Sequence, residues 1–167
     1  GIPTTTLKPN NFFQNELWYR DALLRYGVYP QPMGDVGLSR VDVRDIAEAA
    51  AIVFTSNGHE GASYNLVGPE VLTGTGTAEI WSRVLGKPIA YGGDDLDRWE
   101  EQQLQYLPAF LAFDFRLMYE FFQKSGLKAT DADIVRQTNL LGHAPRRFED
   151  YARELAESWK GEPKMRS

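Results

Sequence analysis

Residues 4–15 have the sequence TTTLKPNNFFQN, which predicts a strand, a corner and a helix in quick succession. Threonine and leucine favour a half-buried strand, and Pro9 ends the strand because proline has no N–H to donate to a sheet. Asn10 and Asn11 suit the start of a helix, since their side chains can cap its first amides. Ligands of open α/β sheets bind at such strand-to-helix corners, so this corner is a candidate binding site.

Beyond the corner, the pattern predicts helices separated by short strands. Apolar residues at helical spacing indicate an amphipathic helix from Phe12 to about Arg25, ended by Gly27. Strands are predicted over residues 38–43, 62–67 and 89–91, and helices over residues 44–55, 77–85, 95–106, 131–140 and 147–160. A further helix, strongly aromatic, is predicted after Pro108 and up to Lys124. These few strands do not make a self-sufficient sheet, because parallel sheets are usually wider and covered on both faces.

The composition is that of a globular domain and excludes several classes of function. The 167 residues are 43% apolar and 25% charged, and the net charge of -5, with scattered lysine and arginine, gives no reason to expect nucleic acid as a partner. The absence of cysteine excludes disulfides, thiolate nucleophiles and cysteine-based zinc sites. No apolar run approaches the roughly 20 residues of a membrane span, and the N-terminus has no signal-like pattern. We therefore expect a cytoplasmic protein without a membrane partner.

Motifs of nicotinamide-dependent enzymes are missing from these residues. The nearest approach to a glycine-rich dinucleotide turn is Thr73–Thr77, TGTGT, which lacks the third glycine and is better explained as a helix start capped by Thr77. An anion site on its amides is the alternative. No tyrosine is followed by lysine four positions later. His59 and His143 are each flanked by glycine, so we predict two surface histidines and no metal site.

Two groups of side chains remain as candidates for a binding site. Asn10, Asn11 and Asn15 lie beside Phe12 and Phe13, a mixture that suits either an apolar pocket with a few hydrogen bonds or a capped helix with an apolar first turn. The second group is aromatic and predicts either core packing or the lining of a site for a flat apolar ligand: Trp99, Tyr106, Phe110, Phe113, Phe115, Tyr119, Phe121 and Phe122. A helix apolar on so much of its circumference must be buried or lie over a pocket.

Five segments together resemble one family. They are TTTLKPNNFFQN (4–15), RVDVRDIAEAA (40–50), GASYNLVGP (61–69), LGKPIAY (85–91) and GHAPRRFEDY (142–151). Their order and spacing resemble the C-terminal half of NmrA-like proteins, which are atypical short-chain dehydrogenase/reductases that bind NAD(P).

The resemblance implies an α/β protein that forms the C-terminal part of a Rossmann-like fold, with few, short and mainly parallel strands. Residues 1–93 would be the remaining part of the Rossmann-like domain, residues 94–160 a mostly helical subdomain covering the substrate, and residues 161–167 a flexible tail. The first half of the fold, with its glycine-rich turn, would lie before Gly1.

The resemblance also implies which residues form the site, although it assigns no catalytic residue. Pro9, Asn10, Phe12 and Phe13 would border the nicotinamide end of NADP or NAD. Asn11 and Asn15 would contact the substrate. Because the cofactor-fingerprint half is absent from these residues, NAD(P) binding by this chain alone is not expected.

The implied function is the substrate-side part of an NAD(P)H-dependent oxidoreductase that transfers hydride to a small aromatic or quinone-like molecule. The alternative is a non-catalytic module that senses dinucleotides or binds protein partners, as some NmrA-like proteins do. A chain without its first strands could also form a homo-oligomer that hides the open sheet edge.

Overall fold

The structure, a computed structural model, describes residues 2–161. Within that range it contains four short strands and six α-helices. The strands are β1 (Thr6–Pro9), β2 (Val28–Tyr29), β3 (Ser63–Leu66) and β4 (Ala90–Tyr91). The helices are α1 (Val43–Thr55), α2 (Gly74–Leu85), α3 (Leu96–Gln103), α4 (Ala109–Ser125), α5 (Asp131–Leu141) and α6 (Phe148–Gly161).

The strands form two separate parallel pairs. In the first pair, β1 lies beside β3, with Thr6 opposite Ser63 and Pro9 opposite Leu66. In the second pair, β2 lies beside β4. Parallel pairing follows from the helical crossovers between the strands. The prediction of an α/β protein with few, short and mainly parallel strands is confirmed.

The corner after β1 is present, but the helix that follows it is irregular. A 3-10 helix over Phe13–Tyr19 passes through one short turn into a π-helix over Ala22–Tyr26, where a continuous α-helix was predicted. The predicted asparagine caps are wrong, because Phe12 is the N-cap residue and no side chain caps the helix. Asn10 instead accepts a hydrogen bond from the amide of Asn11, at 2.7 Å. The predicted end at Gly27 is confirmed, since this glycine adopts the left-handed conformation at φ 63°.

Three predicted boundaries differ from the structure. Residues 38–43 do not form a strand, because they make only isolated bridges: Leu38 to Leu72 and to Leu127, and Val41 to Phe12. Strand β2 lies in a segment that its glycines and prolines marked as a loop. Helix α2 begins at Gly74 and is capped by Thr73, whose hydroxyl accepts from the amide of Gly76, so the predicted cap at Thr77 is wrong.

One apolar core joins the two ends of the chain. The ring of Phe13 meets Phe148 edge to face at 5.2 Å, and Trp81 of α2 stacks on Trp159 of α6 at 5.4 Å. Both α6 and the corner therefore belong to the same core. The division at residue 93 stays a prediction. Of the predicted tail, residue 161 is the last residue of α6 and residues 162–167 lie outside the described residues.

None of the helices in residues 2–161 combines the length and apolarity needed to cross a membrane.

Candidate functional site

A cleft of about 870 Å³ opens beside the corner that follows β1. The corner and the 3-10 helix form one wall, and α3 and α4 form the other. Its lining is mostly apolar and aromatic, with contributions from Phe12, Trp18, Trp99, Phe115 and Phe122. A cleft of this size and composition suits a flat organic ligand.

Helix α4 contributes one face to the cleft. Leu111, Phe115, Met118 and Phe122 follow each other at spacings of four, three and four residues, which places them in one stripe along the helix. All four line the cleft. Of the two alternatives left open for this helix, burial or a position over a pocket, this face of α4 shows the second.

The aromatic group proposed from the sequence divides between the cleft and the surface. Trp99, Tyr106, Phe115, Tyr119 and Phe122 line the cleft. The others, Phe110, Phe113 and Phe121, lie on the outer side of α4 and are at least half exposed. Their spacing alone could not separate the two sets, because both repeat with the period of a helix.

A buried ion pair lies behind the corner. Glu16 and Arg40 are fully buried, and the Arg40 guanidinium donates to the Glu16 carboxylate at 2.7 Å. Burial opposes the charge on Arg40, but the carboxylate outweighs burial and the pKa of Arg40 is raised. Tyr29, Gln31 and Trp81 also donate to Glu16, at 3.2, 3.0 and 2.8 Å. The carboxylate is therefore well satisfied, as a buried charge requires.

Arg40 also fixes the backbone of the corner. It donates to the carbonyl of Phe12 at 2.7 Å and to the side-chain oxygen of Asn11 at 2.8 Å. The position of the cleft wall thus depends on an arginine 28 residues away in the chain from Phe12. Sequence reasoning missed this pair, because Glu16 lies in a segment predicted to be amphipathic and Arg40 in one predicted to be a strand.

The structure brings five of the six predicted site residues to the cleft. Pro9, Asn10, Asn11, Phe12 and Asn15 line it. The exception is Phe13, which is not among the lining residues, because its ring is buried in the core against Phe148 and Tyr151. The binding role of these residues stays a prediction.

The polar residues of the corner differ in what they can offer a ligand. Asn10 is buried, and its amide nitrogen donates to the carbonyl of Leu127 at 2.8 Å while its oxygen accepts from Asn11. Its carboxamide thus holds the corner together. Asn15 is half-buried, and its carboxamide makes no hydrogen bond to any residue in the range 2–161. A ligand in the cleft can therefore use both ends of the Asn15 carboxamide.

The cleft has further lining side chains that were not proposed for a site from the sequence. Those with polar groups include Trp18, Tyr19 and Gln31. Tyr19 follows Asn15 by four residues on the 3-10 helix, and its side chain interacts with the hydroxyl of Tyr119. Residues 28–37 carried only loop signals, so the sequence gave no reason to place Gln31 at a site.

Three amides of the Thr73–Thr77 segment are already bonded within the protein and are not free for an anion. The amide of Gly74 donates to the carbonyl of Gly34 at 3.0 Å, and the amides of Gly76 and Thr77 bond to Thr73 at 3.0 and 2.9 Å. The ring of Tyr91 also lies within 2.4 Å of the place a Cβ of Gly74 would occupy. The segment is an ordinary helix start.

One cluster of metal-type ligands occurs among the described residues, and an arginine already occupies it. Atoms of Asp45, Glu48 and His143 lie within 4.8 Å of one another. The Arg146 guanidinium pairs with Asp45 and, at 3.1 Å, with Glu48, so both carboxylates already have a cationic partner without a metal ion. One ring nitrogen of His143 donates a hydrogen bond to the carbonyl of Ala144, and the other forms a hydrogen bond with Glu48 at 3.1 Å. These contacts raise the pKa of His143.

No protein-family model matches the chain. Among curated proteins, the chain is 32% identical over 162 residues to a (4-alkanoyl-5-oxo-2,5-dihydrofuran-3-yl)methyl phosphate reductase of Streptomyces griseus, with 97% of this chain and 56% of that protein covered.

Comparison with solved structures likewise matches this chain to about half of longer proteins. An NADPH-dependent quinone oxidoreductase of Escherichia coli, determined with NADPH, matches with a TM-score of 0.83 and 28% identity over 93% of this chain and 54% of its own. NmrA, a negative transcriptional regulator determined with NADP, matches with a TM-score of 0.67 and 18% identity over 99% of this chain and 57% of its own, and shows the fold alone.

The chain spans little more than half the length of these proteins. By sequence and by fold, it matches the C-terminal half of the NmrA-like NAD(P)-binding proteins, as the resemblance of its five segments indicated.

Proposed function

We propose that this chain supplies the substrate side of an NAD(P)H-dependent reductase whose cleft binds a flat, aromatic or quinone-like electron acceptor. The observation that carries the proposal is the cleft itself, an aromatic-walled space of about 870 Å³ beside the corner. The similar Streptomyces and Escherichia coli proteins are both reductases, which supports the same class of reaction.

The residues present fit one end of a dinucleotide. A nicotinamide is a flat ring, and the corner offers the partly exposed ring of Phe12 beside it, while the carboxamide of Asn15 is left for the substrate. The pyrophosphate needs free backbone amides, and the amides of Gly74, Gly76 and Thr77 are already bonded. This helix start therefore does not supply the phosphate site, and we propose that the phosphate contacts come from residues outside 2–161.

When bound, the reduced nicotinamide supplies the hydride. The chain's own residues orient the acceptor and exclude water from it. Phe12 and the cleft face of α4 hold the flat ring, and Asn15 donates to or accepts from its polar substituents. Arg40 keeps Phe12 in place through its carbonyl, so that the wall is preorganised.

The test is NADPH oxidation by the protein that carries this chain, with 2-methyl-1,4-naphthoquinone as acceptor. Phe12→Ala should raise the KM for the quinone at least about tenfold, because burial of a phenylalanine side chain against a ligand is worth on the order of 1.5 kcal/mol or more. Phe54→Ala is the matched control, since Phe54 lies on α1, is 87% exposed and does not line the cleft.

An unchanged KM in a folded Phe12→Ala variant would remove the corner from the site. Binding of NADPH without turnover of any quinone or dye would instead favour the dinucleotide-sensing module. If the reading frame upstream of Gly1 encodes a strand followed by a Gly-x-x-Gly-x-x-Gly turn, the cofactor half is supplied by the same polypeptide.

A further inference from the structure

No charged side chain lines the cleft in the part of the chain that the structure describes. Several charged groups on the elements that form its walls pair with one another instead. Arg40 pairs with Glu16 behind the corner, at 2.7 Å. Arg116 of α4 pairs with Asp97 and Glu100 of α3, at 2.6 and 3.0 Å. A ligand between the two walls therefore meets aromatic rings and uncharged hydrogen-bonding groups.

The carboxamide side chains of the cleft differ in whether the protein already uses them. Gln31 donates to Glu16 at 3.0 Å and accepts from Tyr119 at 3.2 Å, so its carboxamide is bonded at both ends. Asn15 and Gln103 are different, because neither carboxamide bonds to any residue within residues 2–161. Both of these carboxamides are therefore free for a ligand.

The two free carboxamides lie on opposite walls. Asn15 belongs to the 3-10 helix after the corner, and Gln103 is the last residue of α3. Gln103 is half-buried and lines the cleft, whereas the preceding residue, Gln102, is exposed and does not line it. Of these two consecutive glutamines, Gln103 is therefore the one placed to contact a ligand.

A free carboxamide can satisfy a carbonyl oxygen, but it brings no net charge. A sulfonate or phosphate group that enters the cleft gives up part of its hydration, and no cation in the lining within residues 2–161 compensates this loss. The aromatic walls add to the cost, because the face of an aromatic ring carries negative partial charge. A quinone without an anionic group meets neither cost.

We infer that the cleft takes acceptors that carry no anionic group, and that the uncharged side chain of Gln103 sets this selectivity on the α3 wall. The class of acceptor rests on the proposed function. The similar Streptomyces griseus protein is a reductase of a phosphate compound, so the two proteins would differ in this respect. A cation at position 103 is the single change that should admit an anionic ring compound.

Two ligands of nearly the same shape test the selectivity by binding alone. Anthraquinone-2-sulfonamide is uncharged at neutral pH, and anthraquinone-2-sulfonate carries one negative charge on the same ring system. In isothermal titration calorimetry, the wild-type chain should bind the sulfonamide about tenfold or more tightly than the sulfonate, because the charged group loses hydration without gaining a cation.

Substitutions of opposite charge test the residue itself. Gln103→Arg should strengthen binding of the sulfonate by about tenfold or more, because a hydrogen bond between two ionised groups is among the stronger ones. Gln103→Glu should weaken binding of the sulfonate further, and both variants should change the affinity for the sulfonamide much less. Effects of opposite sign distinguish selection by charge from a loss of packing.

Gln102→Arg and Gln102→Glu are the matched controls. They change the net charge of the chain by the same amount, but at an exposed position outside the lining of the cleft. Because exposed charges are screened by water and salt, each control should change the affinity ratio of the two ligands by less than about twofold at physiological salt.

Equal affinities of the wild-type chain for the two ligands would overturn the inference. It would also be overturned if Gln102→Arg strengthened binding of the sulfonate as much as Gln103→Arg does, or if the wild-type chain bound neither ligand. Failure of the proposed function alone has a different signature. The two ligands would then bind with the predicted ratio, while the protein that carries this chain would oxidise no NADPH with 2-methyl-1,4-naphthoquinone.

Discussion

Asn10 stabilises the corner after β1 with both ends of its carboxamide. Its nitrogen donates to the carbonyl of Leu127 and its oxygen accepts from the amide of Asn11, in a buried position. Asn10→Ala leaves both partners unsatisfied and should lower the free energy of unfolding by about 1–3 kcal/mol in a urea titration.

Asn15→Ala is the matched control, because Asn15 lies five residues away and its side chain bonds to nothing in the described part of the chain. Removal of the Asn15 side chain should lower the free energy of unfolding by less than about 0.5 kcal/mol. Equal costs for the two variants would contradict the distinction between a structural and a ligand-facing asparagine.

His143 should make stability depend on pH. Its pKa in the folded chain is raised by the bond to the Ala144 carbonyl and by Glu48, while Arg146 opposes this. A group with a raised folded pKa stabilises the fold below its unfolded pKa, and that stability is lost as the pH rises through the folded pKa. The window is therefore from just below pH 6.5, the ordinary histidine value, upward.

The measurement compares the unfolding free energies of wild type and His143→Gln across that window. The difference should be largest on the acid side and fade as the pH rises, and it should be small because the imidazole is 39% exposed and screened by solvent. Glu48→Gln should reduce the pH dependence. A difference that grew with pH would contradict the assignment.

At the scale of single residues, the sequence identified the corner but not the role of each side chain in it. The mixture of asparagine and phenylalanine marked the corner as a candidate site, and five of its residues line the cleft, namely Pro9, Asn10, Asn11, Phe12 and Asn15. The local sequence does not show that the Asn10 side chain donates a hydrogen bond to the carbonyl of Leu127, which lies 117 positions away. Nor could it tell that Phe13 turns into the core while Phe12 faces the cleft, because that choice depends on the irregular 3-10 helix.

Among the elements, the segment between β3 and α2 depends on a close backbone approach at Gly68. A Cβ there would lie 2.0 Å from the carbonyl oxygen of Arg40 and 3.4 Å from the ring of Phe13. Since a backbone atom cannot rotate away, Gly68→Ala should shift the chain that carries Arg40 and cost about 3 kcal/mol, the upper end for overpacking.

Gly76→Ala provides the comparison within α2. Its Cβ would lie 3.0 Å from the hydroxyl of Thr73, a side chain that can move, and alanine favours the helix. The free energy of unfolding of Gly76→Ala, measured by thermal or urea unfolding, should therefore lie within about 1 kcal/mol of the wild-type value. If Gly68→Ala were equally mild, the tight contact with Arg40 would not be a determinant of the fold.

Helices with a clear period and cap were predictable, and short strands were not. Helix α1 follows its predicted range because Asp42 caps it and its apolar residues keep the helical spacing. Residues 38–43 have the composition of a strand, yet their backbone bonds go to Leu72, Leu127 and Asn11 in three different places. Such partners are set by tertiary packing, which local composition does not contain.

For the whole molecule, the comparison with longer proteins explains why the strands form two small parallel pairs. The similar quinone oxidoreductase has about twice the length that this chain spans. A C-terminal half of a Rossmann-like fold explains why the strands are few and parallel, and why a cleft lies along the corner after β1. Self-association through the open strand edge stays a prediction.

The most direct test of the account is a crystal structure of this chain grown with 2-methyl-1,4-naphthoquinone. The account predicts the quinone in the cleft, in contact with Phe12 and with one carbonyl oxygen within hydrogen-bond distance of the Asn15 carboxamide. A quinone bound elsewhere on the chain, or a cleft that stays without it at saturating concentration, would contradict the claim that this cleft is the acceptor site.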